Sequence, residues 1–235
     1  MSKRVINAAL LGLGTVGTGV YKVLKLQKGE MEQKIGAVVE IKKILVRNLK
    51  KAAAKIQEPE LLTNNWNEII EDDSIDIVIE VMGGIEPAKT WILEALQAGK
   101  HVVTANKDLV ASYGSELLDS AAEYRRDFLF EASVAGGIPI IRPLKQCLAG
   151  NHITEVVGIV NGTTNFILTK MAQEDMEFEE ALALATKLGY AEADPTADIQ
   201  GHDAGRKMAI MASIAFNSRV TFQDVSTEGI TQISS

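Results

Sequence analysis

A chain of 235 residues with 46% hydrophobic and 23% charged content can bury one large core or two small ones, which argues against disorder as its default state. A formal net charge of −7 without a local basic stripe argues against nucleic acid as a partner, and apolar stretches such as residues 208–216 fall well short of the roughly 20 residues of a membrane-spanning helix. The single cysteine, Cys147, can form neither an intramolecular disulfide nor a cysteine metal cluster, which fits a reducing, cytoplasmic setting.

Strand-like and helix-like runs alternate from the start. Residues 5–11 form an apolar strand signal that begins too early to leave room for a cleavable leader. Residues 16–26 repeat at helical period and residues 38–46 read as a strand again, completing a βαβ unit, while the polar insert 27–36 reads as a loop. Residues 76–82 are a short strand rich in Ile and Val, and 87–98 an amphipathic helix with Pro87 in its first turn and Gly99 past its end. Further strand signals at 101–105 and 128–132 flank a helical stretch at 115–125. The alternation predicts an α/β fold, a Rossmann-type doubly wound parallel sheet with helices on both faces. Gly136, Gly137 and Pro139 break the pattern, so a dinucleotide-binding domain is expected over 1–138 and a second, α+β domain over 139–235. The second domain should hold a strand near 153–160 and helices near 163–172, 178–188 and 202–216. The weakly periodic stretch 220–235 reads as part of a domain that is cut short.

The first strand runs into Gly12-Leu13-Gly14-Thr15-Val16-Gly17, the G-x-G-x-x-G spacing at the opening of a helix. Its glycines serve a tight turn, close approach of backbone to a pyrophosphate, and close helix-to-strand packing, while the helix start offers N–H groups to the phosphates. Spacing alone is a weak signal that ordinary glycine turns can mimic; its place inside a βαβ unit is what favours a nucleotide. An acid at the end of the second strand would bind a ribose 2′-hydroxyl, but the sequence there is Val46-Arg47-Asn48, followed by Lys50 and Lys51. A cation suits a 2′-phosphate, so NADP is favoured with NAD still open; a solvated basic turn is the plain alternative. Gly83, with Gly84, follows a strand at a point where backbone can approach the cofactor, or simply turn.

Chemistry-bearing residues concentrate between Gly189 and Lys207, where Glu192, Asp194, Asp198 and Asp203 surround a loop and a helix start. Asp203 and Lys207 are four apart and share a helix face, either as an exposed ion pair or, given the apolar run from Met208, as a partly buried pair placed for proton exchange. Lys107, in Thr104-Ala105-Asn106-Lys107, follows a strand whose C-terminal end should face the ligand crevice. Asn161-Gly162-Thr163-Thr164-Asn165 opens a helix with small polar groups that can cap it or bind a substrate. His101, His152 and His202 lack partners at metal-ligand spacing.

On these segments the chain resembles the homoserine dehydrogenase family, most specifically in the spacing of glycine, Asp-Pro, Asp198, Gly201, Asp203 and Lys207. The resemblance implies NAD(P)-dependent interconversion of L-homoserine and L-aspartate 4-semialdehyde, a step toward threonine, methionine and isoleucine. It also implies Lys207 as the proton-transfer lysine, Lys107 as its partner near the reacting oxygen, Glu192 and Asp203 as substrate ligands with Asp198 in support, and Gly189 and Lys107 beside the cofactor. A monovalent cation, sodium in most members, is implied at Glu131, Val134, Gly136 and Ile138, and a homodimer through the second domain. Two alternatives stay open on the residues: a related reductase of another amino-acid semialdehyde or imine, and a nonenzymatic NADP-binding module.

Overall fold

The computed structural model describes residues 4–234. It divides into two compact units, Met1–Ser133 and Val134–Ser235.

In the first unit the elements run β1 (Arg4–Leu11), α1 (Thr15–Leu26), α2 (Lys28–Ile35), β2 (Ala37–Leu45), α3 (Leu49–Ala53), β3 (Leu62–Thr63), α4 (Asn67–Ile70), β4 (Ile77–Glu80), α5 (Ala88–Gln97), β5 (His101–Thr104), α6 (Lys107–Glu123) and β6 (Phe128–Leu129). The sheet has six strands in the order β3-β2-β1-β4-β5-β6, all parallel. This is the doubly wound order of dinucleotide-binding domains, in which the strand sequence reverses between β1 and β4 and opens a crevice at their C-terminal ends. Parallel strands with helices on both faces must be apolar on both, and Ala8, Ala9, Leu10 and Leu11 at the end of β1 are fully buried. One face packs Leu10, Leu13, Tyr21, Ile41, Ile44 and Ala52 together, which fixes the loop after β1 against α1 and β2.

The stretch read as a loop at 27–36 is instead the helix α2, which Gly36 closes in the left-handed conformation (φ 70°). It has no buried residue, so the apolar periodicity that reveals other helices is missing from its sequence. The helix expected at 115–125 begins earlier, at Lys107, because Asn106 accepts a hydrogen bond from the Leu109 N–H and caps it.

The second unit holds a π-helical turn (Pro143–Cys147), α7 (Gly162–Glu174), α8 (Phe178–Leu188), α9 (Thr196–Ile199) and α10 (His202–Ala215). Ile167 and Met171 of α7 pack on Ala181 and Ala185 of α8 and on Ala191. The strand expected near 153–160 is not formed: these residues join no ladder, and Val157 and Ile159 are more than 80% exposed. Local β propensity is present, but a strand exists only where a neighbour supplies hydrogen bonds. Among the described residues no helix is long and apolar enough to cross a membrane.

Candidate functional site

The Gly12–Gly17 turn behaves as its chemistry requires. Gly12 sits at φ +100°, and a Cβ there would meet the Val81 carbonyl at 3.1 Å; a Cβ on Gly17 would lie 2.1 Å from the Gly12 carbonyl oxygen. Both positions therefore hold only glycine. Gly14 differs, since its missing Cβ would meet nothing within 4 Å among the described residues. That is open space beside the start of α1, where no side chain caps the N–H groups and Thr15 and Val16 form the first turn. Orphan N–H groups facing open space suit an anion.

This turn forms one wall of a cavity of about 670 Å³. A second wall is basic: Arg47, Lys51 and Lys55 line it from the end of β2 and the region of α3. Asn48 shapes this wall by capping α3 through the Lys51 N–H, and Lys55 donates a 2.7 Å hydrogen bond to the Leu13 carbonyl, tying the basic wall to the glycine turn. Sequence reading singled out Arg47, Lys50 and Lys51 but missed Lys55. Its distance of 42 residues from Leu13 leaves no local trace. Gly83 lies on the third wall with Met82, at φ +75° and with open space around its absent Cβ.

Behind that third wall is a group the sequence reading passed over. Glu80, the last residue of β4, is fully buried and accepts hydrogen bonds from the Met82 N–H (2.8 Å), the Gly83 N–H (3.3 Å) and the Thr104 hydroxyl (2.6 Å). Lys107, three residues past Thr104, is the first residue of α6. A cation at a helix N-terminus opposes the helix dipole by roughly 0.3–1 kcal/mol, so its placement there is not explained by helix stability.

In the second unit the candidate residues converge on Asn161, whose side-chain oxygen caps α7 through the Thr164 N–H (2.8 Å). The same side chain donates to Asp198 at 2.7 Å and to Asp203 at 2.8 Å. Lys207 completes the group, donating to Asp203 at 2.6 Å and to the Val160 carbonyl at 2.6 Å. Asp203 is buried and Lys207 is partly buried, their side chains being 6% and 17% exposed. The exposed i,i+4 ion pair is therefore not what the structure contains. Two of the three ammonium hydrogens are used by the protein, which fixes where the third points. The Asp203–Lys207 spacing is visible in the sequence, but nothing there signals that Asn161 joins the two carboxylates across the unit.

Glu192 is exposed and lies in the loop before α9. Gly189 caps α8 in the left-handed conformation (φ 81°), a conformation that itself accounts for the glycine. Glu131 opens a 3₁₀ turn, Glu131–Ser133; Val134 is buried, Gly136 has φ 58°, and Ile138 is exposed, with its N–H donating to the Ala135 carbonyl. No group of three or more His, Cys, Asp or Glu side chains suited to a metal occurs among the described residues.

Family models match both parts of the chain: one described as homoserine dehydrogenase, NAD binding domain, over residues 12–131, and one described as homoserine dehydrogenase over 139–235. The chain belongs to the homoserine dehydrogenase family. It is 51% identical over 230 residues to the homoserine dehydrogenase of Bacillus subtilis, covering 98% of this chain and 53% of that protein. Against the Corynebacterium glutamicum enzyme the identity is also 51%, covering 97% and 51%. A homoserine dehydrogenase structure from Thiobacillus denitrificans superposes with a TM-score of 0.93 at 46% identity, over 98% of this chain and 53% of that one. A hyperthermophilic archaeal homoserine dehydrogenase in complex with NADPH gives a TM-score of 0.81 at 28% identity, over 97% and 75%. The chain thus spans about half the length of the curated relatives it matches.

Proposed function

We propose that the complete protein interconverts L-homoserine and L-aspartate 4-semialdehyde with a nicotinamide dinucleotide, NADP in preference to NAD. The observation that carries this reading is the buried Asn161–Asp203–Lys207 cluster, in which a lysine is held at fixed geometry with one N–H to spare. Family membership supplies the substrate. Gly12, Gly14, Arg47 and Gly83 would hold a nicotinamide dinucleotide in the cavity of the first unit, where it would supply the hydride acceptor for the hydroxyl-bearing carbon. In the reductive direction the Lys207 ammonium donates its third N–H proton to the carbonyl oxygen, and in the oxidative direction the neutral Lys207 amine takes the hydroxyl proton; Lys107 stabilises charge on the reacting oxygen. Glu192 and Asp203 hold the substrate ammonium, with Asp198 supporting the cluster through Asn161. The basic wall of Arg47, Lys51 and Lys55 supports the NADP preference, with Gly83 lining the same cavity; Gly189 is assigned to the cofactor by family resemblance alone.

A sodium ion at Glu131, Val134, Gly136 and Ile138 belongs to the same reading. Three of these four residues offer only main-chain oxygens, the hard donors a monovalent cation takes, so the residues fit. Two domains over 1–138 and 139–235, a homodimer formed through the second, a cytoplasmic setting and a place in threonine, methionine and isoleucine synthesis complete the proposal. The test is NADP-dependent oxidation of L-homoserine by the complete protein, followed as NADPH absorbance with NAD and other amino-acid alcohols in parallel. Cofactor binding without turnover of homoserine would reject the activity.

A further inference from the structure

We propose that Glu80 is a positioning residue that sets the cofactor-facing loops after β4 and β5 as one unit. This rests on the reading that the cavity of the first unit takes a nicotinamide dinucleotide. A carboxylate that is fully buried, with no lysine or arginine among the partners in its hydrogen bonds, is costly unless its oxygens are satisfied by donors. Here every donor comes from the C-terminal edge of the sheet, two from the loop after β4 and one from the last residue of β5. One Glu80 oxygen takes the Met82 and Gly83 N–H groups, drawing the loop after β4 into its tight turn, with Gly83 at φ +75° on the cavity wall. The other takes the Thr104 hydroxyl at the end of β5.

The network continues with a fixed polarity. Thr104 accepts from the Asn106 N–H at 3.0 Å while donating to Glu80, so its hydroxyl hydrogen has only one direction to point. Asn106 then returns to the first loop by donating to the Gly84 carbonyl at 2.6 Å, and caps α6 through the Leu109 N–H. The loop is closed: Glu80, Thr104, Asn106 and Gly84 form a ring of polar contacts around the turn. Gly83 on the cavity wall belongs to it through its N–H, and Lys107 at the start of α6 lies one residue from it. Glu80 touches neither cofactor nor substrate; it acts by holding the groups that do.

Three single variants separate the donor chain from bulk. Glu80→Gln keeps size but places an amide where acceptors are needed, leaving the Thr104 hydroxyl hydrogen without its acceptor. Thr104→Val removes the hydroxyl and Thr104→Ser restores it. NADPH binding by fluorescence titration should weaken roughly 10-fold in Glu80→Gln and Thr104→Val, recover in Thr104→Ser, and weaken little further in the double variant Glu80→Gln/Thr104→Val than in the worse single one. Amide hydrogen exchange without cofactor should speed at Met82, Gly83 and Asn106 in the two weakened variants, with the exchange of β1 unchanged. Uniformly faster exchange, β1 included, would mean a general loss of stability and overturn the positioning role. So would variants that bind as tightly and exchange as slowly as the parent. A parent that binds neither NADPH nor NADH would overturn the cofactor reading itself and this inference with it.

Discussion

Replacing Lys207 by alanine in the complete protein tests the chemistry most directly, and the structure predicts two separable effects. The first is on stability. Lys207 is 17% exposed and Asp203 6%, so the pair is shielded enough for its loss to matter. Breaking a buried ion pair by removing one partner costs about 3–5 kcal/mol. Asn161 continues to donate to Asp203, which places the expected loss near the lower end, about 3 kcal/mol. The second effect is on rate: a general acid–base group contributes roughly 10²–10⁴-fold, and kcat should fall within that range. The first effect is read by urea denaturation and the second by kcat with homoserine and NADP at a temperature where the variant is folded. NADPH affinity serves as the control and should stay close to the parent's, because proton transfer is felt in the transition state. A kcat within a few-fold of the parent in a folded variant would remove Lys207 from the mechanism and leave it as a structural ion pair.

Other consequences are independent of that one. Arg47→Ala should weaken NADPH binding and leave NADH nearly unchanged; equal losses in titrations with both cofactors would reject a 2′-phosphate contact. Gly17→Ala should destabilise the first unit by at least roughly 1–3 kcal/mol, because its Cβ would meet the Gly12 carbonyl at 2.1 Å, whereas Gly14→Ala should stay within about 0.5 kcal/mol in urea melts yet lose cofactor affinity. Gly14→Ala binding NADPH as the parent does would mean that the pyrophosphate lies elsewhere. Hydrogen bonds from Lys42 and then Ser74 hold the Asp72 carboxyl down at about 2, against 3.8 when unfolded. A lowered carboxyl contributes stability above its unfolded value and loses it as pH falls through the folded one. The stability gap between parent and Asp72→Asn, measured by urea midpoint, should therefore be present at pH 5 and close between about pH 4 and pH 2.

What the sequence disclosed, and what it hid, follows from the range of the interactions concerned. The βαβ start was legible because strand, glycine spacing and helix period are local, and Gly12 and Gly17 must be glycine for reasons that lie within six residues or against the adjacent strand. The pairing of Asp203 with Lys207 was legible because four residues on a helix is also a local distance. Helix α2 was hidden because it buries nothing, and the stretch 153–160 misled because pairing is not written into the run that looks ready for it.

The deeper omissions share one cause. Lys55 reaches Leu13 across 42 residues, Asn161 reaches Asp203 across 42, and Glu80 reaches Thr104 across 24. Lys55 and Glu80 have no motif, and the Asn161–Asn165 segment shows a cap or a substrate contact but not the partner, since each partner is chosen by the sheet order or by helix packing and not by spacing. Glu80 did carry one faint signal: an acid at the end of an Ile/Val strand, directly before Met82-Gly83-Gly84, in a position that parallel-sheet burial would otherwise fill with an apolar side chain. An acid tolerated there must have donors waiting for it. In a doubly wound sheet the nearest unpaired donors at that edge belong to the loops that face the ligand crevice. A charged residue at the carboxyl end of an interior parallel strand is thus evidence about the ligand site even when it never reaches the ligand.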